Sequence, residues 1–256
     1  MVSRPYKIWS PPYQHNSGGL RVLRRLADLL RESGAEVEVS MKPGNNNGDT
    51  VAIYPEITWG NPFGVKHVVR YICCRPGLIG GPVDFPKTDL LVWYDSVLNS
   101  NPAAMCLTIP TIELDLFNTV GVGKRDTTCY WIGKGRDFMD CAPTGEIKIT
   151  PEWPPTRKDL AVLLKRSKVL YSYDSLTALN TEAPLCGCPV VIMKEGCFKR
   201  GDVDKTEFGT AGRCWDPKDI DWAIETLPFA LSNYMKVENA LKVSLERFIE
   251  VTQKMN

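Results

Sequence analysis

The stretch over residues 169–193, VLYSYDSLTALNTEAPLCGCPVVIM, constrains the fold more than any other part of the chain. It opens on a short apolar run, Val169-Leu170-Tyr171, that reads as a strand. Asp174 and Ser175 offer a helix cap, residues 176–185 have helical composition, and Gly187 closes them. Pro189 then begins a second run, Val190-Val191-Ile192, at the first position of a strand, where a missing N–H is tolerated. Strand, helix and strand in so short a span predict a parallel pair with a helical crossover. In parallel sheets ligands bind beyond the carboxyl ends of the strands, where helix N-termini present free N–H groups. Asp174, Ser175 and Thr177 are expected at that mouth. Glu182, eight residues after Asp174, is expected on roughly the same helix face.

The start of the chain repeats the pattern. Residues 6–9 read as a strand, followed by a loop over 10–17. Gly18 and Gly19 open a helix over 20–33, whose Leu20, Leu23, Leu26, Ala27 and Leu30 share one face. Gly34 ends it, and Val37 and Val39 alternate in the next strand. A polar loop over 41–49 precedes a third strand over 50–54. Residues 55–62 form a loop with polar and aromatic groups, and 63–74 are expected as a helix stopped by Arg75-Pro76-Gly77. Further strands are expected over 90–94 and 105–109. The segment 111–126 changes character, with Gly121, Gly123, Lys124 and Arg125, and marks a boundary between domains 1–118 and 119–256. The second domain should contain strands over 128–132 and 147–149 and a helix over 155–167 capped at Thr156. A glycine-punctuated loop over 196–212 and helices over 217–227 and 231–254 close it. The fold class is α/β, as two small Rossmann-like domains facing a cleft.

The 256 residues carry 31 basic and 30 acidic side chains, a net charge of +1. That balance gives no broad electrostatic case for nucleic acid or an anionic membrane. None of the 9 cysteines has CxxC spacing to another, and neither histidine, His15 or His67, flanks a cysteine pair. A zinc site is not indicated, and free thiols in a reducing compartment are the default. The N-terminus has no apolar run suited to a signal peptide, and no stretch nears the roughly 20 apolar residues that span a bilayer. The chain reads as cytoplasmic and soluble.

Asp174 and Glu182, followed by Ala183 and then Gly187-Cys188-Pro189-Val190-Val191, resemble the donor-site signature of retaining GT-B glycosyltransferases. That family usually has Glu at the first acidic position, where this chain has the shorter Asp174. The resemblance implies sugar transfer from a nucleotide sugar to a hydroxyl acceptor with retention, with neither metal nor other cofactor. A glycan or lipid-linked glycan is the default acceptor, as in polysaccharide biosynthesis; modified phage DNA is another. Glu182 would then accept from ribose hydroxyls and Asp174 would contact sugar hydroxyls. Ser175, Thr177 and nearby amides would hold phosphate. The family also uses a basic pair to meet the departing diphosphate. Lys134, in the Gly133-Lys134-Gly135 turn after a strand, is the best match, with Arg125 as its partner and Lys124 competing for that place. Gly18, Gly19 and His15 correspond to a glycine-containing loop on the acceptor side, and a last helix often returns to the first domain.

Two DxD triplets, Asp202-Val203-Asp204 and Asp219-Ile220-Asp221, lie in a polar loop and at a helix start. There acids favour the helix dipole more than a cation. A different class of reading is a non-catalytic nucleotide- or sugar-binding module. A dinucleotide enzyme would need a GxGxxG fingerprint after a strand, which is absent.

Overall fold

The computed structural model describes residues 4–44, 48–99 and 101–255; residues 45–47 of the expected polar loop lie outside the described residues. The chain divides into two compact units. One holds the described residues of Met1–Gln14, Gly19–Thr111 and Val237–Asn256, the other His15–Gly18 and Ile112–Lys236.

The elements of the first unit are β1 (Tyr6–Trp9), α1 (Gly18–Glu32, its first residue in the other unit), β2 (Val37–Ser40), β3 (Val51–Pro55), β4 (His67–Ile72), β5 (Leu90–Trp93) and β6 (Met105–Cys106). Six parallel strands lie in the order β2-β1-β3-β4-β5-β6. The apolar face of α1, with Leu23, Leu26 and Leu30, packs with Ile8, Ile53, Val69 and Val92. Leu241, Leu245 and Phe248 join that cluster from the final helix. Ala52, Tyr54 and Val68 form a second cluster with Phe63 and Val65, residues of the loop before β4.

The helix expected over 63–74 is a strand instead. All six residues of β4 are buried between β3 and β5. The β-branched and aromatic side chains of Val68, Val69, Tyr71 and Ile72 suit a strand covered on both faces, which shows a continuous apolar run rather than alternation.

The second unit contains β7 (Thr127–Trp131), β8 (Ile147–Ile149), α2 (Arg157–Arg166), β9 (Ser167–Ser172), α3 (Leu179–Leu185), β10 (Val190–Ile192), α4 (Arg200–Val203), β11 (Arg213–Cys214) and α5 (Ile220–Thr226). The helix α6 (Phe229–Gln253) begins here and continues into the first unit. Five parallel strands run in the order β11-β10-β9-β7-β8. Thr156 caps α2 as its sequence suggests, its hydroxyl oxygen accepting from the Asp159 amide. The segment 196–212 is not all loop, since it contains α4 and leads into the short strand β11.

α3 starts three residues later than its sequence suggests. The Asp174 carboxylate accepts from the Leu176 amide, and Asn180 Nδ2 donates to the carbonyls of Asp174 and Ser175. These side-chain bonds compete with helical ones and hold 174–178 as a loop. Pro184 inside α3 cannot donate to Asn180 O; Arg213 Nε donates to that carbonyl at 2.8 Å instead. Gly187, at φ +70°, ends the helix. Its amide bonds Pro184 O and the Cys188 amide bonds Ala183 O, closing a Schellman motif.

Candidate functional site

Numbered within itself, the first unit has the strand order 2-1-3-4-5-6 and the second 2-1-3-4-5, so in each sheet the order of strands reverses between the first and third strands. In such sheets the loops leaving those two strands diverge and open a crevice at their carboxyl ends. In the second unit those strands are β7 and β9. β7 leads into a tight 3₁₀ turn, Gly133–Phe138, and β9 into Tyr173, Asp174 and Ser175.

Lys134 and Asp174 meet at this point. Lys134 Nζ lies 2.8 Å from Asp174 Oδ2 and donates to Leu176 O at 2.9 Å; the Lys134 amide also donates to Oδ2. The carboxylate is 4% exposed and the ammonium side chain 29%. An ammonium has three donors, so one remains for a ligand.

The glycines around Lys134 are required by space. Gly133 has φ +49°, and an added Cβ would strike both Trp131 Nε1 and Asp174 Oδ2. At Gly135 a Cβ would overlap the Tyr173 carbonyl. The backbone of the turn therefore lies directly on the start of the next loop. Two more contacts join the carboxyl-end loops: Ser175 Oγ donates to Phe198 O, and Lys194 after β10 pairs with Asp140 at 2.5 Å.

The other expected site residues divide. Gly133 and Ser175 belong to the cluster, Ser175 with its hydroxyl donated to backbone. Thr177 lies half-buried in the same loop, its carbonyl accepting from the Asn180 amide. Gly18 is close by: a Cβ there would stand 3.8 Å from Ala178 Cβ, and Asn16 Nδ2 donates to Pro151 O. His15 is half-buried with its Nε2 unpartnered. Gly19 has open space around it.

Arg125 and Lys124 do not stand with Lys134. They precede β7, so they lie at the amino ends of the strands. Arg125 is occupied there, donating to the carbonyls of Leu164, Ser167 and Cys186. It closes the ends of α2 and α3, and Lys124 is exposed beside it in sequence.

Glu182 does not share a face with Asp174, because the intervening residues are a loop and α3 supplies fewer than the expected turns. Its carboxylate, 3% exposed, pairs at 2.9 Å with Arg157, itself 8% exposed. Arg157 also pairs with Glu113 and lies 4.2 Å from the Phe117 ring centre. Burial by itself lowers the Arg157 pKa; Glu182 and Glu113 together outweigh that effect and raise it.

Of the DxD acids, Asp202 caps α4 by accepting from the Lys199 amide, and Asp204 pairs with Arg200. Among the described residues no three His, Cys, Asp or Glu side chains gather in a metal-holding group. No helix of the described residues is long and apolar enough to cross a membrane.

Sequence reasoning missed Trp131, Arg157, Asn180 and Lys194. Lys194 had a signal, since it follows a strand as Lys134 does. The others act through contacts between elements that no local pattern announces.

The fold and this cluster define an α/β protein with two Rossmann-like parallel sheets and an acid–base pair at the reversal of one. No protein-family model matches the chain, and no curated protein sequence matches it.

Proposed function

We propose that the chain is a glycosyltransferase of the GT-B type, moving a sugar from a nucleotide-sugar donor to a hydroxyl acceptor with retention and without a metal. The observation that carries the reading is the meeting of Lys134 with Asp174 at the carboxyl ends of β7 and β9. That is where a parallel sheet of this order takes its ligand, and Asp174 opens the stretch that resembles the family's donor signature.

On this reading the second unit holds the donor. Lys134 meets the negative charge that grows on the diphosphate as the sugar–phosphate bond breaks, an interaction stronger in the transition state than before it. Asp174 holds the ammonium in place before the phosphate arrives. The loop containing His15 and Gly18 serves the acceptor side, the acceptor being a glycan or lipid-linked glycan.

The test is incubation with UDP-glucose, UDP-galactose, UDP-N-acetylglucosamine and GDP-mannose, with and without EDTA, assayed for nucleoside diphosphate. Slow release that survives chelation is expected. Tight binding without turnover would favour a binding module, and release that requires Mn²⁺ would overturn the metal-free mechanism.

A further inference from the structure

Trp131, the last residue of β7, carries a donor that the fold leaves unspent. Its Nε1 is shielded from solvent and has no hydrogen-bond partner. A buried donor without an acceptor is costly, so its retention calls for a reason. Its position suggests one. A Cβ placed on Gly133 would meet Trp131 Nε1 and Asp174 Oδ2 at once, so the indole N–H and the carboxylate border the same point. They nevertheless do not bond each other; Oδ2 is taken by the Lys134 amide and Nζ.

The chemistry of the pair selects its ligand. An anion would be attracted by the indole N–H but repelled by Asp174. A cation would suit Asp174 and leave the N–H unspent. A hydroxyl satisfies both, because its oxygen accepts and its proton is donated.

We propose that Trp131 Nε1 and Asp174 Oδ2 together read one hydroxyl of the transferred sugar. This rests on the nucleotide-sugar reading above. A diphosphate draws the Lys134 ammonium from Oδ2 to its own oxygens. Asp174 keeps the Lys134 and Leu176 amides as donors, and the sugar hydroxyl enters between the carboxylate and the indole N–H. Lys134 is suited to leave, being the more exposed partner of the pair. Trp131 is thereby a specificity-determining residue, and Gly133 is required because a Cβ there would strike both groups and push them apart.

The experiment uses the full chain and the tightest binder among the four nucleotide sugars named above, together with its mono-deoxy analogues. Calorimetric affinities are measured for wild type and Trp131→Phe, which keeps the aromatic ring and removes the N–H. Wild type should discriminate against one deoxy analogue. Trp131→Phe should bind the parent about 5- to 10-fold more weakly, the scale of one hydrogen bond, and bind that analogue as wild type does. Affinity for the nucleoside diphosphate should be unchanged. A merely structural role would weaken parent and deoxy donors alike, which overturns the inference while leaving the functional reading intact. Equal affinity of wild type for every deoxy analogue would overturn it without any variant. Failure of wild type to bind any of the four nucleotide sugars would overturn both.

Discussion

The second unit holds two buried carboxylates eight residues apart, and their surroundings differ. Asp174 and Glu182 pair with cations at 2.8 and 2.9 Å and are almost equally buried. The cations separate them: Lys134 is partly exposed at the carboxyl end of the sheet, whereas Arg157 is enclosed between Glu182, Glu113 and the Phe117 ring. Pair length therefore says little about role. A buried anion whose cation can reach solvent can exchange that cation for a ligand. One whose cation is buried as well cannot, and it ties α3 to α2 instead.

The largest expected effect breaks the closed pair. Glu182→Ala leaves the Arg157 guanidinium buried with only the half-exposed Glu113 beside it. Removing one partner of such a pair costs about 3–5 kcal/mol, and Glu113 should hold the loss near the lower figure. The measurement is chemical denaturation of the full chain. Stability within about 0.5 kcal/mol of wild type would show that Arg157 is satisfied without Glu182.

The open pair should fail in the other way. Lys134→Ala removes a partly exposed cation whose carboxylate keeps two amide donors, so folding should change less than in Glu182→Ala. Under the glycosyltransferase reading, kcat should fall about 100-fold, as for loss of other groups that meet developing oxyanion charge. Each tenfold in rate is about 1.4 kcal/mol, which places this loss just below the first. Donor KM should move less than kcat. Steady-state kinetics with the preferred nucleotide sugar decides: an unchanged kcat would remove Lys134 from the reaction.

The same contrast explains what was legible in the sequence. Lys134 and Asp174 could be placed because each follows a strand by two or three residues, and in a parallel sheet position after a strand fixes which end a side chain occupies. Arg125 is equally basic and close in sequence, but it precedes β7. That difference assigns it to the opposite end, where it binds carbonyls. Glu182 was misplaced because helical spacing was extended back to Leu176, across residues that Asp174 and Asn180 hold as a loop. Its partner Arg157 comes from another helix, and pairing between elements leaves no trace in periodicity. The strand β4 was legible in composition, since Val68, Val69, Tyr71 and Ile72 are strand formers, but its unbroken apolar run has no period to separate it from a helix.

The smallest expected effect concerns a third buried carboxylate, Glu56, at the carboxyl end of β3 in the first unit. It accepts from the Cys73 amide at 3.0 Å, and the groups that shift its pKa include no cation. Burial raises that pKa above the ordinary glutamate range, the amide offsetting only part of the effect. An acid whose folded-state pKa is raised binds its proton more tightly in the native chain. Its contribution to stability is therefore present below the unfolded value, near pH 4.5, and is lost as pH rises through the raised folded value. Glu56→Gln keeps an acceptor for the Cys73 amide and cannot ionise. Relative to wild type it should gain stability as pH is raised from 4.5 toward 7, and show no gain below 4.5. Melting temperatures of the two proteins across that range test the sign. A difference that stays flat with pH would mean that burial leaves the Glu56 pKa unshifted, and one that comes to favour wild type as pH rises toward 7 would mean that the fold stabilises the Glu56 carboxylate.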